Sequence, residues 1–162
     1  MANNNNNSNI RLKARVSAFR LLKFRLRSED ELRKRLKKKK IPDDIIEETI
    51  SFLKEKRFID DAQFAGLWAD SRLRSNLGIK RISVELRQKG LNKELITQTI
   101  NRIRRNYDEE KIVYALAKER WQKLKDLAPD KARQRLYGWL LRRGFAADTV
   151  IDTINKICKP IY

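Results

Sequence analysis

The chain has 162 residues, enough for one ordinary domain or a short array of small units, and 39 lysines and arginines against 21 acids give it a formal charge of +18. A field of that sign concentrates polyanions, so nucleic acid or a complex containing it is the expected partner, with an anionic membrane surface as the competitor. With no histidine there is no Ser-His-Asp triad, no histidine proton shuttle and no Cys/His zinc site, and a single cysteine, Cys158, excludes an internal disulfide framework and fits a reducing compartment.

The first nine residues, Met1 to Asn9, are an asparagine tract without the apolar stretch of a secretory signal, and a disordered tail is expected over 1–9. No apolar run reaches the ~18 residues a membrane-spanning helix needs, so the expected location is the cytoplasm. From Ile10 onward apolar residues recur at helical spacing and strand alternation is absent. Leu12, Val16, Phe19, Leu22 and Leu26 form one stripe. Ser28-x-x-Glu31 is a capping box ahead of Leu32 and Leu36, and Pro42 with Asp43 and Asp44 suits the first turn of the next helix. Asp60-x-x-Gln63 opens a helix carrying Phe64, Leu67, Trp68 and Leu73, and Asn76 to Gly78 make a turn after it. Ile112, Val113, Leu116 and Leu124 mark a further helix, and Pro129-Asp130 starts another.

One pattern occurs three times: Leu32-x3-Leu36-x3-Lys40-Ile41, Ile82-x3-Leu86-x3-Gly90-Leu91 and Leu136-x3-Leu140-x3-Gly144-Phe145. Each copy continues into a second ladder, Ile46/Ile50/Leu53, Ile96/Ile100/Ile103 and Val150/Ile154/Ile157. The copies lie 50 and 54 residues apart, a period that means stacked supersecondary units. Each copy follows a long helix, so the unit is three helices. The expected fold is all-α, an elongated, curved array of three tandem three-helix repeats over 10–57, 58–106 and 107–162. By count these carry +9, +5 and +4. Gly90 and Gly144 stand where a helix must end and the backbone turns left-handed, and Lys40 departs from them there.

Nothing assembles a catalytic site. Asp60-Asp61 could in principle attract a divalent cation, but adjacent acids at a helix start read as a cap and a complement to the dipole, as do Asp43-Asp44 and Glu109-Glu110. No glycine-rich phosphate loop is present. No enzyme activity, cofactor or metal is expected. Arg33 to Lys40 hold seven basic residues in eight positions. Completing the helix dipole uses two or three of them, and a phosphate-contacting surface accounts for the rest, positioning the protein without reading bases. Arg72, Arg74, Lys80, Arg81, Arg87 and Lys89 form a sparser basic set, and Arg142-Arg143 before Gly144 repeats Gln88-Lys89 before Gly90. The three tryptophans, Trp68, Trp121 and Trp139, are not assigned to base stacking, because aromatics at helical spacing usually pack.

The segment Phe58-Ile-Asp-Asp-Ala-Gln-Phe-Ala65, then Arg72, Gly78-Ile-Lys-Arg-Ile82 and Glu85-Leu-Arg-Gln-Lys-Gly-Leu91, resembles the central signature of the RecX regulatory proteins. Ser28-x-x-Glu31-Leu32 with Leu36 resembles their N-terminal signature, and the likeness runs from about Arg15 onward. It implies three tandem three-helix units and a protein that lies along RecA filaments on single-stranded DNA. There it would restrain filament growth, ATP hydrolysis, strand exchange and the coprotease role in the SOS response. By position, the resemblance points to Arg25, Arg72, Lys80, Arg81 and Lys89 for filament contact. Together with the basic runs, the expected contact set is Arg25, Arg33, Lys34, Lys37, Lys38, Arg72, Lys80, Arg81, Arg87, Lys89, Arg142 and Arg143. The expected partners are the RecA filament and single-stranded DNA, with weaker duplex binding, and the expected state is a monomer. The competing reading is a protein that acts directly on single- or double-stranded DNA. Arg72→Glu combined with Arg81→Glu is expected to abolish inhibition and spare helicity.

Overall fold

The structure, a computed structural model, describes the backbone of residues 2–158 and the side chains of residues 7–158. Among the described residues there are nine α-helices and no strand: α1 Ala2–Phe24, α2 Glu29–Lys38, α3 Asp43–Glu55, α4 Asp61–Arg74, α5 Ile79–Gln88, α6 Lys93–Arg104, α7 Glu109–Gln122, α8 Pro129–Arg142 and α9 Ala147–Ile157. None of them is long and apolar enough to cross a membrane. Helix α1 begins at Ala2, within the segment 1–9 read from the sequence as a tail, and Met1 lies outside the described residues. Ile10 packs on the core and fixes that end of the helix, and extension from a formed helix adds one hydrogen bond per residue. Asparagine opposes this by at most ~0.7 kcal/mol each relative to alanine.

The threefold pattern is a helix ending. Leu36, Leu86 and Leu140 are each fully buried near the C-terminus of α2, α5 and α8, and Ile41, Leu91 and Phe145 are buried just past it. Between them Lys40, Gly90 and Gly144 take φ of 59°, 80° and 88°. The Ile41 amide donates to Leu36 O and the Lys40 amide to Lys37 O. The Leu91 amide likewise donates to Leu86 O and the Gly90 amide to Arg87 O. This is the Schellman arrangement, with its apolar contact across the left-handed residue. A further repeated signal is a buried threonine in each third helix, Thr49, Thr99 and Thr153, and Thr49 Oγ1 donates to Ile45 O at 2.7 Å.

The chain divides into two compact units, residues 1–68 with 86–95 and residues 69–85 with 96–162. In the first, Leu32, Leu36, Ile46, Ile50 and Leu53 form a core against Ala14 and Ala18 of α1. In the second, Val113 and Ala117 of α7 meet Leu136, Leu140, Phe145 and Val150. The stripe read from the sequence on α1 meets the core only at Leu22. Ile10, Ala14, Ala18, Leu21 and Leu22 face the core, while Leu12, Val16 and Phe19 are exposed at 62, 40 and 38 %. Small alanines let α1 approach α2 and α3 closely, and a reading that weights large side chains misses them.

The same helix junction occurs once within each unit. In the first, the N-terminus of α2 meets the end of α5: Ser28 Oγ donates to Lys89 O at 2.6 Å, and a Cβ built on Gly90 would lie 2.3 Å from Asp30 Cβ. In the second, the N-terminus of α5 meets the end of α8. The Gly78 amide donates to Arg143 O at 2.8 Å, the Lys80 amide to Gly144 O at 3.2 Å, and a Cβ on Gly144 would lie 2.3 Å from the Arg81 amide nitrogen. Gly90 and Gly144 therefore serve two ends, a left-handed turn and a close helix approach. Lys40 must serve only the first, and its side chain is exposed.

Candidate functional site

Ion pairing within the fold sorts the expected contact cations. Arg25 grips Glu31 through both terminal nitrogens, at 2.8 and 3.0 Å, and the hydrogen bond to that carboxylate raises its pKa. Arg33 binds Glu47 at 2.8 Å and Glu29 at 3.2 Å. Lys34 pairs with Asp30 at 2.6 Å and Lys37 with Asp43 at 3.0 Å. Arg72 and Arg81 both hold Glu85, at 2.7 and 3.0 Å. Lys89 pairs with Glu31 at 2.8 Å and sits 4.3 Å from the centre of the Trp68 ring. Arg143 donates to Ser75 O and Asn76 O and stacks on Trp139 at 4.4 Å. Among the described residues, Lys38, Lys80, Arg87 and Arg142 are exposed with no carboxylate in ion-pair range.

Lys80 and Arg142 line one groove and Lys38 another, at equivalent places in the repeat, while Arg87 lines neither. In the second unit a groove of about 580 Å³ has Leu77, Val84 and Leu141 as its apolar wall and Lys80, Arg81 and Arg142 as its cations. Glu85, the acid in this groove, is neutralised by two arginines, which leaves the groove positive. In the first unit a groove of about 280 Å³ lies between α2 and the end of α5, with Lys34, Arg35, Lys38 and Lys89 on its walls. Arg35 was not in the expected set. It is three residues from Lys38, and that i, i+3 spacing places both on one helix face. A further hollow of about 350 Å³ collects Arg33, Lys34 and Lys37, but Asp43 and Glu47 share it.

Asp60 and Asp61 do not converge on a cation. Asp60 Oδ1 accepts from the Ala62 and Gln63 amides as an N-cap, while Asp61 Oδ1 accepts from the Glu29 amide at 2.9 Å. Burial raises the Asp61 pKa despite that bond. Trp68 stacks on Phe64 and Trp121 packs on the second core, so their faces serve the fold.

Glu31 fastens the first junction. Burial opposes its charge, but hydrogen bonds and charges from Arg25 and Lys89 outweigh this and bring its pKa from 4.5 down to about 2. A carboxylate depressed in the folded state stabilises fully above its unfolded pKa and loses that contribution as pH falls through the folded one. Glu31→Gln should therefore cost about 1.5–3 kcal/mol at neutral pH. Urea midpoints of wild type and variant should converge as pH falls from about 4.5 toward 2. A gap independent of pH would show that the loss is not electrostatic.

These features define an all-α protein of tandem three-helix repeats with cationic grooves at equivalent helix junctions. Residues 14–53, 60–100 and 108–154 match the family models of the first, second and third three-helix domains of RecX. The chain belongs to the RecX family of regulatory proteins. It is 33% identical over 146 residues to the regulatory protein RecX of Amycolatopsis mediterranei, covering 89% of this chain and 82% of that one. It is 34% identical over 144 residues to that of Thermotoga maritima, covering 86% and 81%. The crystal structure of RecX from Lactobacillus salivarius shares the fold with a TM-score of 0.75 at 19% identity, over 93% of this chain and 97% of that one.

Proposed function

We propose that this protein is a non-enzymatic regulator that binds RecA–single-stranded DNA filaments through its basic grooves and inhibits recombinase, ATPase and SOS coprotease activities. The observation that carries the reading is the recurrence of a cation-lined, acid-neutralised groove at equivalent junctions in a chain of this family. A filament is itself periodic, so grooves repeated along one chain engage successive places on it, and linked weak contacts add as avidity. Inhibition then needs no catalytic group, because binding one state of the filament's cycle more tightly than the others is sufficient to stall it. Lys80, Arg142, Arg35 and Lys38 are the contact cations in this reading, and Arg25, Arg72 and Lys89 hold the surface in shape.

The lysine run Lys37–Lys40 favours a second reading, direct action on single- or double-stranded DNA. RecA ATPase on single-stranded DNA separates the two when this protein is added below the RecA concentration. The filament reading expects inhibition at substoichiometric protein and far tighter binding to preformed filament than to bare strand at equal salt. Unchanged ATPase, with equal affinity for both, would discard it.

A further inference from the structure

Helix α1 has two opposed apolar faces, and the fold uses one. At about 3.6 residues per turn, Ile10, Ala14, Ala18 and Leu21 lie on the side against α2 and α3. Leu12, Val16 and Phe19 lie on the other and are exposed. Phe58, itself half exposed, packs edge-on against Phe19 with ring centres 4.9 Å apart and widens the strip. Contiguous exposed apolar surface of this kind marks an interaction site.

We infer that this face docks an acidic amphipathic helix of the RecA protein, separately from the cationic grooves; the inference rests on the filament reading above. Spacings of four and three residues make a ridge that seats in the groove of another helix. Charge selects the partner. Helix α1 contains no acid, and Lys13, Arg20 and Lys23 around the strip are exposed with no carboxylate in ion-pair range among the described residues. Its other edge is settled internally, with Arg11 and Arg15 on Glu48. A second copy of this chain, also at +18, would bring the same cations against them. A lipid surface is the poorer fit, since the exposed strip spans only two turns and the opposite face is committed to the core.

The test compares Leu12→Gln combined with Val16→Gln with wild type, measuring affinity for preformed RecA–oligo(dT) filament and for bare oligo(dT) at one salt concentration. Glutamine matches leucine and exceeds valine in helix propensity, so far-UV circular dichroism should be unchanged. The expected result is a loss of at least about tenfold for filament and none beyond about twofold for bare strand. Lys13→Glu combined with Arg20→Glu, away from the core, should likewise weaken filament binding. Filament affinity equal to wild type in both variants overturns the proposal. So does binding to anionic phosphatidylglycerol vesicles, or a dimer by sedimentation, that the Leu12/Val16 variant abolishes. If wild type itself does not prefer filament to bare strand, the filament reading falls and takes this one with it; if only the variants are silent, the filament reading stands.

Discussion

Gly144→Ala is expected to destabilise the second unit by about 3 kcal/mol or more. The added methyl meets two obstacles. At φ 88° an L-residue is strained, and its Cβ would stand 2.3 Å from the backbone nitrogen of Arg81, an atom that cannot swing aside. Relief requires the end of α8 to part from the start of α5, which breaks the Gly78–Arg143 and Lys80–Gly144 backbone bonds. Lys40→Gly, at the equivalent helix end, should act in the opposite direction. It relieves a left-handed lysine at φ 59° and should stabilise by up to ~1 kcal/mol. Urea unfolding followed by tryptophan fluorescence measures both. A Gly144→Ala midpoint equal to wild type would show that the junction yields easily and carries little of the fold's stability.

The second large effect is expected from Lys80→Glu combined with Arg142→Glu. Both side chains are exposed, line the same groove and have no internal carboxylate partner among the described residues. Reversal removes two attractions and adds two repulsions, so filament affinity should fall more than about a hundredfold. The salt dependence of single-strand binding should weaken by about 0.7 for each phosphate that is no longer neutralised. Melting temperature and helicity should not change. Arg72→Glu combined with Arg81→Glu is a poorer test than the sequence suggests. Glu85 is held by both arginines and is only 13% exposed, so that change would set three carboxylates together and destabilise the fold. Full inhibition by the Lys80/Arg142 variant would remove this groove from the contact surface.

Helix number and class were legible because Leu32/Leu36, Ile82/Leu86 and Leu136/Leu140 combine helical spacing with a fixed helix end. Glycine at 90 and 144 announced a left-handed turn, a local property. Its second role, admitting the neighbouring helix, was hidden because nothing local encodes that Asp30 or Arg81 arrives there. Which cations stay unpaired was only half legible for the same reason. Lysine and arginine counts locate positive charge, but whether Arg25 or Arg142 is available depends on acids brought in by folding, such as Glu31. Helix α1 misled because Ala14 and Ala18 carry the middle of its packed face while Leu12, Val16 and Phe19 are exposed.

The junction that joins α2 to α5, and α5 to α8, is head-to-tail. Contacts of that kind, made between separate molecules, generate rings where the rotation closes and filaments where it does not. At its first helix end the chain presents a residue with a Cβ where both internal junctions leave no room for one, and sets it in a run of four lysines. The end of α2 therefore keeps the left-handed turn of the other two helix ends without their room for a neighbouring helix.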